Sequence, residues 1–247
     1  MNQNELKARQ DLAAAYRLAD YFGFSEGIDN HLSLSLPDQE ERYLLIPDGL
    51  HWSEVTASSL LVVDGEGNKI SGEGYAEPTA FLIHGAVHEA NKKNSCVMHT
   101  HMESALAITM IEKGRLLMAD QNACRFYNNI TYLDDYEGLV LDKHTAKPIG
   151  KSMVESDILF LANHGIIVTG KNVYEAWESL YYLERACRAQ ILAMSLGKKI
   201  KSINGQIAKK VSDQIKEEAT GVSANSYRHF EALKRLLISN GHEDYLN

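Results

Sequence analysis

Two histidines that could bind a metal stand one residue apart in the motif His99-Thr100-His101. The largely apolar residues 95–98 before them predict a short buried strand, in which residues i and i+2 point to the same side. Both imidazoles should therefore project together at the end of this strand, where they can converge on one ion. Alone the pair is weak evidence, because most histidines at this spacing are not metal ligands.

A third histidine strengthens the hypothesis. His164 lies in Asn163-His164-Gly165, between two apolar strand candidates at residues 158–162 and 166–169. The glycine permits a sharp turn and a close approach of the backbone, although His164 by itself would be interpreted as an ordinary turn histidine. Three neutral imidazoles with an open fourth position are a common composition of a catalytic zinc site. Manganese and cobalt also accept imidazole nitrogen, so zinc is only the first choice.

A competing pair, His84 and His88, is spaced i, i+4 and shares one face of a helix predicted over residues 79–91. This pair could also bind a metal. Polar residues commonly stack at this interval on the solvent face of an amphipathic helix, and we interpret the pair in that way. Either histidine could still line a pocket.

The elements that must position these residues follow from hydrophobic periodicity. Residues 5–22 predict a helix ending at Gly23, and residues 31–36 alternate as a half-buried strand. Strand candidates at residues 42–46 and 60–63, with tight turns between them, indicate an antiparallel meander. The later strands alternate with helices, the clearest of which follows a capping-box arrangement of Asn172 and Glu175. Together these patterns indicate a mixed sheet with helices on its faces.

The chain has 247 residues, with 45% hydrophobic and 23% charged, which is typical of a globular protein. We predict a main domain over residues 1–200 and a helical extension over residues 201–247, whose apolar stripe should dock onto its own body or a neighbouring subunit. The net charge of −8 disfavours nucleic acid as a partner. No apolar run approaches the roughly 20 residues that span a bilayer, and the first residues lack a secretory pattern. We therefore expect a cytoplasmic protein with no membrane contact.

The cysteines are three in number, widely spaced and set among largely apolar neighbours: Cys96, Cys124 and Cys187. An odd number of such residues predicts buried free thiols in a reducing compartment.

Taken together, these stretches resemble the class II aldolase/adducin family of sugar aldolases, epimerases and adducin head domains, over most of residues 8–195. Four motifs carry the resemblance in order: Asp29-Asn30-His31-Leu32-Ser33, Ile46-Pro47-Asp48-Gly49-Leu50, Val97-Met98-His99-Thr100-His101 and Leu161-Ala162-Asn163-His164-Gly165. Three further segments favour the adducin-like branch: residues 49–58, 134–136 and 230–235. The resemblance implies a three-layer α/β/α fold with a mixed, largely antiparallel sheet. It also implies a divalent metal on the three histidines and a four-fold symmetric homotetramer.

The sequence departs from the family at its acid/base residue. The family aldolases place a glutamate nineteen residues before the first histidine, and here that position is Ala80. The nearest substitute is Glu77. Because Pro78 should begin the helix, Glu77 is expected in the loop before it. Tyr127 is the other candidate for proton transfer, since the family often supplies a tyrosine from this region of a neighbouring subunit. Packing at an oligomer interface is its equally plausible role.

Features that would hold a phosphate are also altered. The family serine pair is Pro78-Thr79 here, and the turn threonine is Asp48, which would repel a phosphate. Asn30 and Gly49 are possible substrate contacts, although both could be simple turn residues.

These departures shape the functional hypothesis. The sequence predicts a metal-dependent lyase-type enzyme that acts through a metal-stabilised enolate on a small, unphosphorylated hydroxy-carbonyl compound. The alternatives are an adducin-like protein that binds or associates without catalysis, and a metal-free scaffold.

Overall fold

The computed structural model of the chain describes residues 2–37, 39–218 and 224–247. The strands are β1 His31–Ser35, β2 Arg42–Leu45, β3 Leu61–Asp64, β4 Lys69–Ser71, β5 Cys96–Thr100, β6 Ile130–Leu133, β7 Ile158–Leu161 and β8 Gly165–Gly170. The helices are α1 Gln3–Tyr21, α2 Pro78–Ala90, α3 Glu103–Thr109, α4 Gln121–Cys124, α5 Lys143–Ser152, α6 Val173–Ser195, α7 Gly205–Glu218 and α8 Asn225–Ser239. Short 3₁₀ turns cover Trp52–Glu54 and Glu243–Leu246.

The strands form a single sheet in the order β4-β3-β2-β1-β5-β8-β7-β6. Neighbouring strands are antiparallel except for β6 and β7, which are parallel. The predicted meander is confirmed, since β1, β2 and β3 are consecutive neighbours. The predicted mixed, largely antiparallel sheet is confirmed as well.

Helices cover both faces of the sheet. On one face, Met98 and Val168 belong to a core that also contains Leu12 of α1 and Leu180 of α6. On the other face, Val97 packs in a second core with residues of α2 and α5, which include Ile83, Val87 and Ile149. Alternate residues of β5 thus enter different cores, as the pleat of a strand requires. The predicted three-layer α/β/α fold is confirmed.

The sequence pattern predicts that β1 buries one face and exposes the face that carries Ser33, but the structure covers Ser33 as well. Ser33 is 0% exposed, because α2 lies over it. The same packing buries His84 and His88, at 1% and 4% exposure. Our interpretation of this pair as a solvent-facing stripe is therefore wrong: α2 turns both histidines toward the sheet. Spacing showed that the pair shares a face, but only packing decides which face is covered.

Helix ends follow the local signals in the sequence. Gly23, with φ of 73°, follows α1 in the left-handed region that glycine tolerates best. At the start of α6, the Glu175 N–H donates to Asn172 Oδ1 at 2.9 Å, and Asn172 Nδ2 donates to Glu175 Oε1 at 3.1 Å. The predicted cap of this helix is confirmed.

Residues 120–149 are more regular than their sequence pattern indicates, because they contain α4, β6 and α5. The four residues of β6 are all half-buried, so they lack a clear alternation. Pro148 lies inside α5, where proline ordinarily argues against a helix.

The C-terminal segment packs on its own chain, since α8 contacts α1 and α6 and buries Phe230 and Leu237. Part of the polar stretch at residues 198–222 forms α7, and residues 219–222 lie outside the described residues. The division of the chain after residue 200 stays a prediction.

Two predictions concern the surroundings of the chain. Across the described residues, we find no helix with the length and apolarity needed to cross a bilayer. A cytoplasmic location stays a prediction. The three cysteines are buried and free, as predicted, and burial raises the pKa of the Cys96 and Cys187 thiols.

Candidate metal centre

His99, His101 and His164 meet at one end of the sheet. Each offers one ring nitrogen, and these three atoms lie within 4.8 Å of one another. The ring centroids are 4.9 to 5.1 Å apart. The hairpin of β7 and β8 brings His164 to this point, because its turn lies beside the end of β5. Three imidazoles at this separation can hold a divalent metal ion.

The close approach of the hairpin depends on backbone geometry. Asn163 has φ of 56°, in the left-handed region that asparagine enters more readily than most residues. At position 165, a Cβ would lie 2.7 Å from the Thr100 carbonyl oxygen and 2.5 Å from His101 Cδ2. Only glycine avoids this clash. The predicted close approach at Gly165 is therefore confirmed.

Hydrogen bonds outside the triad orient two of its rings. His99 Nδ1 donates to the Ile166 carbonyl oxygen at 2.9 Å, which leaves Nε2 as the nitrogen with a free lone pair. His101 Nδ1 donates to Glu26 Oε2, and His101 Nε2 is buried without a hydrogen-bond partner among the described residues. Histidines that bind metals are commonly held in this way through their second nitrogen. The donor set therefore fits a divalent cation.

Burial keeps His99 and His164 uncharged. It lowers the pKa of His99 well below its ordinary value, and the neighbouring imidazoles of His164 and His101 lower it further. Burial, together with His101, lowers the pKa of His164 to about 4, while Glu26 acts in the opposite direction. At neutral pH the rings of His99 and His164 are therefore in the form that binds a metal.

Glu26 links the triad to a predicted substrate residue. Its Oε2 also accepts from Asn30 Nδ2 at 3.2 Å. Asn30 is 5% exposed, has φ of 67°, and its Oδ1 is buried without a partner among the described residues. The sequence offered no signal for Glu26, because no local spacing relates it to His101, which lies 75 positions away.

Replacing Glu26 with glutamine should weaken zinc binding by about 10- to 100-fold, because residues that orient a metal ligand usually have effects of this size. Glutamine keeps the shape of the side chain and removes the charge that favours the Nδ1–H form of His101. The measurement is competition against a chromophoric chelator. Glu40→Gln, in the exposed turn between β1 and β2, is the matched control and should leave the affinity unchanged.

Glu77 caps the start of α2. Its Oε2 accepts from the Ala80 N–H and from the Thr79 hydroxyl, each at 2.5 Å. The predicted start of the helix between positions 77 and 80 is confirmed. Burial alone would raise the pKa of Glu77, but the hydrogen bonds from Thr79 and Ala80 outweigh it and lower the pKa. Glu77 is therefore ionised at neutral pH and is a weak proton donor.

Gly49 lies in a turn at the same end of the sheet as the triad, because β2 runs antiparallel to β1. The Leu50 N–H donates to the Pro47 carbonyl oxygen at 3.3 Å, and Gly49 has φ of 79°. This conformation requires glycine at the third position of the turn.

Tyr127 lies far from the triad of its own chain. In the parallel pair of β6 and β7, Leu133 is opposite Leu161 at the triad end and Ile130 is opposite Ile158 at the other end. Tyr127 precedes Ile130, and its hydroxyl packs against Gly205. The structure therefore does not bring Tyr127 to His164 within one subunit.

Tyr136 is the tyrosine that the fold places near the triad, with its ring 6.4 Å from that of His164. It is 51% exposed. In the sequence, Tyr136 stands out only as part of a segment, residues 134–136, that resembles the adducin-like branch.

Carboxylates surround the neighbouring His31. This residue is directly opposite His99 in the β1–β5 pair, so both side chains lie on the same face. Burial lowers the pKa of His31 to about 4, and the carboxylates of Glu77, Asp29 and Asp48 oppose that shift. The cleft beside the triad is therefore acidic.

The described residues form an α/β protein in which a mixed sheet lies between two layers of helices. Three imidazoles at one end of this sheet suit a divalent metal. The family model described as Class II Aldolase and Adducin N-terminal domain matches residues 10–191. The chain belongs to the class II aldolase and adducin family.

Individual relatives agree with this assignment. A Caulobacter vibrioides protein provisionally named as an aldolase class 2 protein is 37% identical over 199 residues, which are 80% of this chain and 77% of that protein. Alpha-adducin of Mus musculus is 32% identical over 198 residues, which are 78% of this chain but 26% of alpha-adducin. An aldolase II superfamily protein from Pseudomonas syringae has a crystal structure with a TM-score of 0.91 and 31% identity, covering 100% of this chain and 98% of that chain.

Proposed function

We propose that this chain is a metal-dependent lyase-type enzyme acting on a small hydroxy-carbonyl compound. The observation that carries the proposal is the convergence of His99, His101 and His164 near Asn30 Oδ1, which has no hydrogen-bond partner in the described part of the chain. A bound divalent metal, with zinc as the first choice, would supply Lewis-acid stabilisation of an enolate. Aldol cleavage, epimerisation, dehydration and decarboxylation all share that chemistry. The provisional aldolase name of the Caulobacter vibrioides relative supports the class of reaction.

The chain's own residues would bind and orient the substrate. Asn30 Oδ1 would accept a hydrogen bond from a substrate hydroxyl, and the Gly49 N–H would donate to a substrate oxygen. Glu77, which is ionised and would accept a proton as a base, and Tyr127 are the proposed proton-transfer residues. Because Tyr127 lies at the opposite end of its own sheet, its role requires a neighbouring subunit. We propose a homotetramer, whose four-fold symmetry rests on the family resemblance.

We propose that the substrate carries no phosphate. The charged side chains with the largest effect on His31 are the carboxylates of Glu77, Asp29 and Asp48. A phosphate dianion in this cleft would be repelled by each of them. A neutral polyol, by contrast, could donate hydroxyl protons to the same oxygens.

Dihydroxyacetone and its phosphate ester form a matched pair of probes. In D₂O the zinc-loaded protein should exchange carbon-bound protons of dihydroxyacetone faster than those of the ester, as followed by ¹H NMR. Ala80→Glu should raise the exchange by up to about 10²-fold, because a positioned acid/base contributes roughly 10² to 10⁴. Position 80 is the third residue of α2 and follows the capping residue Glu77 by three positions.

Ala90→Glu, at the far end of α2, is the control and should not change the exchange. Faster exchange of the phosphate ester would show that the acidic cleft does not select the substrate. Exchange of neither probe would favour the second candidate, an adducin-like binding or association protein. The absence of a carboxylate at Ala80 and the likeness to alpha-adducin support that candidate.

A further inference from the structure

A chain of buried polar side chains lies between α2 and β1, where Ser33 follows two residues after His31, the partner of His99 in the sheet. Ser33 Oγ lies 2.7 Å from His84 Nδ1 and 2.8 Å from His88 Nε2. The other nitrogen of His88, Nδ1, lies 3.4 Å from Ser35 Oγ. Ser33, His84 and His88 are at most 4% exposed, whereas Ser35 is half-buried at the end of β1. The connected atoms thus lead from the interior toward solvent.

The inner end of this chain is His84 Nε2. This atom is buried and has no hydrogen-bond partner among the described residues. The two nitrogens of an imidazole point in nearly opposite directions, so Nε2 faces away from Ser33. The His31 ring lies 6.3 Å from the His84 ring. Burial and the neighbouring imidazoles of His31 and His99 lower the pKa of His84, and the His31 backbone acts in the opposite direction.

Helix geometry relates His84 to the missing family carboxylate. Ala80 and His84 are four residues apart on α2, so they occupy one face of the helix. His84 therefore lies one turn beyond the position that holds the acid/base glutamate in the related aldolases.

The hydroxyl of Ser33 has one proton to donate, and this allows two arrangements. In the first, His84 Nδ1–H donates to Ser33, and Ser33 donates to His88 Nε2. In the second, His88 Nε2–H donates to Ser33, and Ser33 donates to His84 Nδ1. The two histidines therefore carry their protons on the same type of nitrogen in either arrangement: both on Nδ1 or both on Nε2.

We propose that His84, Ser33 and His88 form a proton relay between the candidate metal centre and the surface at Ser35. In the second arrangement, His84 Nε2 gives its proton to the substrate carbanion. The Ser33 proton moves to His84 Nδ1, the His88 Nε2 proton moves to Ser33, and His88 Nδ1 takes a proton from solvent through Ser35. The reverse sequence carries one proton outward. The relay rests on the proposed function and supplies the proton transfer that Ala80 cannot.

The surroundings keep the relay uncharged. Burial lowers the pKa of His88 to about 3. Burial, with the neighbouring imidazoles of His31 and His99, holds the pKa of His84 well below its ordinary value. Neither ring holds a second proton at neutral pH, so protons move by exchange of tautomers.

The tautomers can be observed without any substrate. In ¹⁵N-histidine-labelled, zinc-loaded protein at pH 7, the ring nitrogens of His84 and His88 should report the same tautomer and shift together. Ser33→Ala should uncouple them. Opposite tautomers in the unmodified protein, or an imidazolium at either position, would overturn the relay.

Proton exchange tests the consequence for chemistry. Ser33→Ala and His88→Gln should each slow the exchange of dihydroxyacetone protons at least tenfold while zinc stoichiometry is unchanged. Glutamine can hold a hydrogen bond to Ser33 but cannot pass a proton between two ring nitrogens. Ser226→Ala, another buried serine, is the control.

Unchanged exchange in both relay variants would overturn the proposal. If the unmodified protein exchanges neither probe, the proposed function fails, and the tautomer measurement alone decides whether the relay exists.

Discussion

Replacing His101 with alanine should weaken zinc binding by roughly 10²- to 10³-fold, because one of three ligands carries about a third of a binding free energy on the order of 10 kcal/mol. His101 is the informative choice, since its Nε2 is buried and unpartnered among the described residues while Nδ1 is held by Glu26. Isothermal titration with zinc would give the affinity, and elemental analysis the stoichiometry. His99→Ala and His164→Ala should have effects of the same order.

His242→Ala is the matched control, because this histidine is exposed in the C-terminal segment. It should bind one zinc per chain with unchanged affinity. Unaltered binding in His101→Ala would show that the triad is not the zinc site. Crystals grown with excess zinc that placed the ion on His84 and His88 would contradict the assignment in the same way.

Acid should destabilise the metal-free protein steeply below pH 6.5, because the folded state excludes protons from buried histidines. Burial lowers the pKa of His88 to about 3, whereas an unfolded chain has a histidine pKa near its ordinary value. Between these values the unfolded state binds a proton that the folded state does not, so stability is complete above pH 6.5 and falls as pH decreases. The cost for His88 is about 2 kcal/mol at pH 5.

His84 should act in the same direction, since burial and the neighbouring imidazoles of His31 and His99 lower its pKa. The loss from His88 alone is already a sizeable part of the roughly 5–15 kcal/mol that stabilises a domain. Urea unfolding at pH 7, 6 and 5 in the presence of a chelator would measure the free energy of unfolding at each pH.

A substitution isolates the contribution of His88. His88→Gln should be less stable at pH 7 but should lose stability with falling pH less steeply, by about 1.4 kcal/mol per pH unit. His242→Gln should leave the slope unchanged. Equal slopes in His88→Gln and the unmodified protein would mean that His88 is already protonated in the folded state.

Local patterns in the sequence predicted much of the fold and the core of the candidate site. The spacing of His99 and His101 depends only on the two-residue repeat of a strand, and the cap at Asn172 depends on residues three positions apart. The close backbone approach at Gly165 could be predicted because glycine has no side chain to clash with neighbouring atoms. The strand spacing and the helix cap are each set within a few residues of chain, so the sequence by itself determined them. The atoms that Gly165 approaches belong to Thr100 and His101, and strand pairing brings them there.

The tertiary structure decided the rest. Glu26 meets His101 only because folding brings together residues 75 positions apart. The burial of His84 and His88 follows from the orientation of α2 on the sheet, and helical spacing cannot distinguish a covered face from a solvated one. Tyr127 lies away from its own triad because β6 runs parallel to β7. Strand order and helix orientation depend on the summed packing of distant apolar side chains, which no local spacing encodes.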